Sequence, residues 1–406
     1  MTFRVALSGL NAAQADLNVT ANNIANSSTT GFKGSRAEFA ELFAVSNMGV
    51  ASTQSGYGVK VSNVAQQFTQ GNIDFTDSSL DLAISGQGFF ILNDGGALAY
   101  TRAGAFQADR SGYIVNADGK RLQVYEPVAS GGFNTGALSD LRIVTTESPP
   151  SATTMAELVA TLPASATPPA NGTFSPNDPT SYNNATSLTL YDSLGAAHTG
   201  TLYFTKTATA NQWTAQLYVD GTAVGTPQTL EYSNTGVLVT PPGNGQLTFP
   251  TYTPTTGAAP MDLTIDMSGT TQYGSAFSVG SLTQDGYTTG RMIGIDIGSG
   301  GVVQARFTNG RSIPLGQVAL ANFANPQGLQ QLGDTNWAET FDSGQVLRGQ
   351  AGASGFGLIQ SGALEASNID ITEQLVNMIT AQRNFQANAQ MISTSDQITQ
   401  TIINMR

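Results

Sequence analysis

Stepping alternately by four and three residues from Phe3 meets Leu7, Leu10, Gln14, Leu17, Ala21 and Ile24, an apolar seam at helical spacing. The same steps from Ile371 meet Leu375, Met378, Gln382, Phe385, Ala389, Ile392, Asp396, Thr399 and Ile403, with Ser367 or Asn368 placed as an N-cap. The two ends are therefore predicted to be amphipathic helices. Everything between them follows strand-and-turn grammar. LDLAISGQGFFIL at 80–92 alternates and then runs apolar, Asn93-Asp94-Gly95-Gly96 and Asn116-Ala117-Asp118-Gly119 mark turns, and the pattern resumes at 291–323. The expected fold is mainly β with helical termini: β-rich domains nested on a coiled-coil core formed by the two ends.

Composition separates the interior into parts. Residues 1–145 hold 11 acids and 9 bases, residues 146–284 hold 8 and 1, and residues 285–406 hold 9 and 6. Eleven of the 16 prolines fall between 151 and 284, which marks an inserted domain of short strands and many turns. The predicted organisation is a terminal helical domain (1–30 and 364–406), a linker or strut (31–72), a middle β-rich domain (73–145 and 285–363) and an outer β-rich insert (146–284). Gly31, Gly34, Gly49, Gly56 and Gly58 make the 31–72 segment a candidate hinge.

The terminal helices carry unusual polar faces of Asn, Gln, Thr, Ser and Ala, with only Arg4 and Asp16 charged among residues 1–30. A solvated helix face is normally rich in Lys and Glu. The expectation is that the ends are incomplete in a lone molecule and finish their burial against other copies. The candidate assembly interface is Phe3, Leu7, Leu10, Leu17, Ile24, Ile371, Leu375, Met378, Phe385, Ile392 and Ile403.

Charge and residue inventory exclude several function classes. Twenty-eight acids against 16 bases give a net charge of −12, which removes the electrostatic basis for binding phosphate backbones or anionic membranes. No apolar run reaches the roughly 18 residues that span a bilayer. There is no cysteine, hence no disulfide, thiol nucleophile or thiolate metal site. The amino terminus lacks the cationic and apolar blocks of a cleaved secretory signal. His198 is the only histidine, so a multi-histidine metal site is excluded; it is expected on an exposed strand or turn. Asp74, Asp77 and Asp81 lack the order of a calcium loop and are expected in caps and turns. Asp262 and Asp266 are expected on a solvated strand face, GFGLIQSG at 355–362 in a flexible linker, and Arg383, Asn384 and Gln386 on the carboxyl-terminal helix, either exposed or bonded across helices. No catalytic residue, metal or cofactor is expected.

Three segments carry a family resemblance. LSGLNAAQADL at 7–17 with ANNIANSSTTGFK at 21–33, LDLAISGQGFFIL at 80–92, and GALEASNIDITEQLVNMITAQRNFQANAQMISTSDQI at 362–398 resemble, in that order, the shared signatures of bacterial flagellar rod and hook proteins. GFKGSRAEFAELFA at 31–44, LGQVALANFANPQGLQQLG at 315–333 and the length of 406 residues are similar to the hook members rather than the shorter distal rod members. Thr20 stands where an aliphatic residue is common in the family, and 146–284 carries no recognisable motif. The resemblance implies terminal helices forming an inner tube, unfolded export through the flagellar type III channel, and polymerisation beneath a cap protein. It further implies a curved, flexible joint transmitting torque, with the distal rod protein, the cap protein, the hook–filament junction protein and the export machinery as partners. The implied location is the extracellular flagellar hook, with no nucleic acid bound, no membrane insertion and no catalysis. The competing readings are a rod or hook-associated protein, which predicts a short insert or none, and a secreted carbohydrate-active β protein, which leaves both helical seams without a purpose.

Overall fold

The computed structural model describes residues 2–42, 56–143, 147–241 and 245–404. Gly49 lies outside them. Contacts divide the chain into two compact units, one of residues 1–145, 294–306 and 312–406, the other of residues 146–293 and 307–311. The terminal helices, the 31–72 segment and the middle strands thus fall within a single unit.

In the first unit, helix α1 (Thr2–Ala25) packs on helix α2 (Ile371–Asn404). Strands Ser35–Glu41 and Val59–Gln66 pair antiparallel in a hairpin with a register shift at Glu38/Phe39, and the hairpin lies against α1. The main sheet runs in the order Val302–Phe307, Ser312–Asn322, Arg121–Tyr125, Phe89–Asp94, Ala97–Thr101, Asn336–Ala338 and Gln330–Gly333. Strands far apart in sequence are therefore neighbours. The motif strand Phe89–Asp94 is central and buried on both faces, which explains why alternation gives way to a continuous apolar run at Phe89, Phe90, Ile91 and Leu92. Its core is aromatic: Tyr100 meets Phe323 edge-on at 4.8 Å between centroids, and Phe89 meets Trp337 at 5.8 Å.

Two further pairings close the unit near the helices. Leu358–Ser361 pairs with Leu82–Ser85, and Ala363–Glu365 with Ile73–Phe75. Within the 355–362 stretch, residues 358–361 are consequently strand rather than flexible linker. Gly357 serves close approach: a Cβ there would stand 2.4 Å from the Ser85 carbonyl oxygen.

The second unit contains two five-stranded sheets. One is the meander Asn184–Tyr191, Ala197–Lys206, Gln212–Val219, Thr222–Tyr232, Leu238–Thr240; the other centres on Met155–Pro163. In the meander the strand Gln212–Val219 alternates strictly, with Trp213, Ala215, Leu217 and Val219 fully buried and polar residues between them less so. These side chains share a core with Leu158, Leu162, Ile265 and Met267 from the other sheet, so the unit is a β-sandwich. Lys206, the lone cation of 146–284, is buried, its Nζ donating to the carbonyls of Thr207, Thr209 and Gln212.

Candidate assembly interface and its anchoring cluster

The face that α1 turns inward is lined by small and polar residues. Ala6, Ala13, Thr20 and Asn23 are buried at steps that also pass through Gly9 and Asp16, and Ala12 is buried beside them. A Cβ on Gly9 would lie 2.5 Å from Oδ1 of Asn388, so the Asn388 side chain of α2 packs directly against the bare Gly9 backbone. On α2 the least exposed line runs through Gln374, Met378, Ala381, Phe385, Asn388 and Ile392, and only Ala381 is fully buried. Burial raises the pKa of the Asp16 carboxyl above its ordinary value.

The buried line of α1 is displaced by one residue from the seam expected from Phe3, a rotation of about 100°. The large apolar residues of α1 therefore do not make the contact between α1 and α2. Phe3 is 45% exposed and Leu7 42%, while Leu10, Leu17 and Ile24 are half-buried. On α2, Ile371, Leu375 and Ile403 are 49%, 47% and 67% exposed, and Met378, Phe385 and Ile392 are half-buried. Val5, Val376, Ile379, Met391 and Ile398 are also exposed, outside the stepped pattern. Arg383, Asn384 and Gln386 are exposed as well. The helix pair thus shows solvent a large apolar surface on both members, of the kind that marks an interaction site.

The ends of the two helices are fixed by side chains rather than by helix propensity. The cap of α2 is Asp370, not Ser367 or Asn368: its Oδ1 accepts from the backbone N–H of Thr372 at 2.8 Å and Glu373 at 3.3 Å. Asn368 instead holds the 31–72 segment, accepting from the N–H of Gly34 at 2.8 Å and donating to the carbonyls of Gln67 and Thr69. Asn23, buried at the end of α1, exchanges two hydrogen bonds with the backbone of Ser35 at 2.8 and 2.9 Å and donates to Gln374 of α2.

Beneath these contacts lies a buried ionic cluster. Glu365 accepts from Lys33 Nζ at 2.6 Å and from Arg102 Nη1 at 3.2 Å, with side-chain exposures of 0%, 0% and 5% for Glu365, Lys33 and Arg102. Gly71 N–H also donates to Glu365, Lys33 to the Thr69 carbonyl, and Arg102 to the Gly86 carbonyl. Desolvation pulls the pKa of Lys33 and of Arg102 below their ordinary values, although Glu365 opposes the shift. Each of the three charges comes from, or lies ten residues beyond, a different one of the three motif segments. Reasoning from the sequence missed this cluster. The available signal was a charged residue in GFK and another in GALEAS, within a chain only 11% charged.

Gly31, Gly34 and Gly58, expected to be hinge points, are instead sites of tight contact. Gly31 has φ +68°, and a Cβ there would stand 2.5 Å from the Ala103 backbone nitrogen; at Gly34 it would meet Ile369 at 2.5 Å, and at Gly58 it would overlap Ser8. Gly56 is exposed. The segment is also pinned by Trp337, whose indole donates to Gln66, and by Phe68, 5.5 Å from the rings of both Phe89 and Trp337.

Among the acidic groups considered for chemistry, Asp74 lies in the strand Ile73–Phe75 rather than in a cap or turn, and three others accept hydrogen bonds from nearby residues. Asp81 accepts from Thr76, Asp262 from Thr251, and Asp266 from the Ser268 N–H. His198 differs from expectation: it is 5% exposed and held between Asp192 and Asp220.

Four family models match successive parts of the chain. They are flagella basal body rod protein at 3–33, the flagellar hook protein FlgE/F/G D1 domain at 83–156, the flagellar basal body protein FlaE D2 domain at 160–287, and the flagellar basal body rod FlgEFG protein C-terminal at 360–405. Among curated proteins, the chain is 39% identical to flagellar hook protein FlgE of Salmonella typhimurium over 417 residues, covering 100% of both. It is 36% identical to that of Rhizobium meliloti, covering 100% of this chain and 98% of the relative. It is 35% identical to that of Borreliella burgdorferi, covering 98% of each. Among solved structures, the crystal structure of Helicobacter pylori flagellar hook protein FlgE2 matches with a TM-score of 0.54 over 72% of this chain and 100% of that one, at 14% identity, so the fold is shared.

Proposed function

Because this chain belongs to the flagellar hook protein family, we propose that it is the structural subunit of a bacterial flagellar hook, self-assembling into a curved, flexible, hollow tube. The tube is a universal joint, passing motor torque from rod to filament and forming part of the export channel. Its role is mechanical rather than catalytic. The observation that carries this reading is the apolar surface left on both terminal helices, in a chain aligned with hook proteins from end to end.

The division of labour follows from the contacts. In the polymer, Phe3, Leu7, Leu375 and their neighbours bury against helices of adjacent copies, and knobs-into-holes packing of this kind resists twist and tension. The Lys33–Glu365–Arg102 cluster makes α1, α2 and the middle sheet move as one body. The inserted sandwich supplies weak polar contacts, each about 1 kcal/mol net, that break and reform as the tube bends. By family, the subunit seats on the distal rod protein, grows under the hook cap protein, meets the hook–filament junction protein and leaves the cell through the flagellar type III export machinery. No helix among the described residues is long and apolar enough to cross a membrane. Full-length alignment with hook proteins, insert included, favours this reading over a rod or hook-associated protein.

Electron microscopy of the purified, concentrated protein tests the proposal. Hollow curved tubes with the helices innermost are expected; globular monomers at every concentration would contradict it.

A further inference from the structure

His198 sits at the start of the strand Ala197–Lys206, facing three separate elements of the second unit. Its Nδ1 lies 2.6 Å from Oδ2 of Asp220, in the turn joining Gln212–Val219 to Thr222–Tyr232, and its Nε2 lies 3.2 Å from Oδ2 of Asp192, in its own hairpin turn. Asp192 is wholly buried and also accepts from the N–H groups of Leu194 and Ala196 and from the Thr256 hydroxyl at 2.6 Å. Asp220 also accepts from the N–H of Thr199. The Tyr252 ring stands edge-on to the imidazole at 6.1 Å. Among the described residues these are the titratable groups facing His198. The carboxylates occupy opposite ring nitrogens, so no point lies between all three that a metal ion could share.

Only an imidazolium has an N–H for both carboxylates. We propose that His198 is a proton-operated clasp: protonated, it ties the Asp192 turn, the Asp220 turn and the segment carrying Tyr252 and Thr256 together; deprotonated, it leaves the buried Asp192 carboxylate facing a lone pair, and that end of the sandwich loosens. Burial alone would lower the histidine pKa, but the hydrogen bonds and charges of Asp220 and Asp192 outweigh it and raise the value above the ordinary one. A group whose pKa is higher folded than unfolded stabilises below its unfolded value, and that stabilisation is lost as pH rises through the folded value. Asp192, held down to about 2 chiefly by its hydrogen bonds against the opposing effect of burial, and Asp220, also lowered, give stability above the ordinary carboxylate range that is lost only in strong acid. The clasp is therefore complete from mildly acid pH up to the folded histidine value and opens as pH rises through it. Burial and the Asp220 charge raise the Tyr252 phenol, which stays protonated across that range. The inference rests on the second unit alone and stands apart from the assembly reading.

Because the chain has a single histidine, selective imidazole labelling gives one titrating NMR signal in the full-length protein. A midpoint above the usual histidine value near ~6.5 is expected, together with amide exchange in 192–199, 219–222 and 251–260 that accelerates severalfold beyond the intrinsic rate change as pH rises through that midpoint. The same peptides in His198→Gln should lack that pH-dependent step, and Asp220→Asn should lower the midpoint. A midpoint at or below the ordinary value, or an identical exchange profile in wild type and either variant, overturns the proposal. The wild-type titration needs no variant to fold.

Discussion

At the scale of single residues, Glu365 carries the heaviest consequence. Glu365→Gln leaves Lys33 and Arg102 buried without their counter-charge, and removing one partner of a buried ionic group costs about 3 to 5 kcal/mol. We expect urea denaturation followed by Trp337 fluorescence to shift by that amount, with Trp213 replaced by Phe so that a single tryptophan reports on the first unit. Gly31→Ala acts by another route, because φ +68° and the Ala103 nitrogen leave no room for a methyl group. It should cost more than about 1 kcal/mol on the same assay. The motifs holding Lys33 and Glu365 were legible in the sequence. Their pairing was not, since nothing in local spacing tells that residues 332 positions apart share a hydrogen bond. His198 was misread for the same reason: its partners come from turns whose closeness is a product of the sheet.

At the scale of elements, both helices were legible from their periodicity, but the face that pairs them was not. A search for large apolar side chains finds instead the surface that the pair leaves exposed. The intramolecular contact uses Ala6, Gly9, Ala13 and Ala381, which small size suits to close approach. The two faces are therefore separable by mutation. Leu7→Asp should abolish tube formation, scored by sedimentation, and leave the far-ultraviolet circular dichroism of the monomer unchanged. Ala381→Leu should overpack the pair itself, costing about 1 to 3 kcal/mol, and reduce helical signal even in dilute protein. The 31–72 segment shows a second limit of the sequence. Glycine was read as freedom, whereas at Gly31, Gly34 and Gly58 it permits contact.

At the scale of the whole molecule, residues 146–293 and 307–311 form one compact unit, and a chain that leaves one core for another changes its turn density and charge. The two units have separate buried cores. Leu217→Ala, at a fully buried site in the sandwich, should lower the Trp213-reported transition by about 2 to 5 kcal/mol while the Trp337-reported transition and tube formation persist. A common shift of both transitions would mean that the cores unfold together.

The central claim is that α1 and α2 expose an apolar surface that only neighbouring copies cover. Amide hydrogen exchange of residues 2–25 and 371–404, measured in dilute monomer and in sedimented polymer, addresses it directly. The account predicts partial protection of the paired helices in the monomer and much stronger protection on polymerisation, with the second unit's central strands protected in both. Equal, strong protection of the helices at every dilution would contradict it.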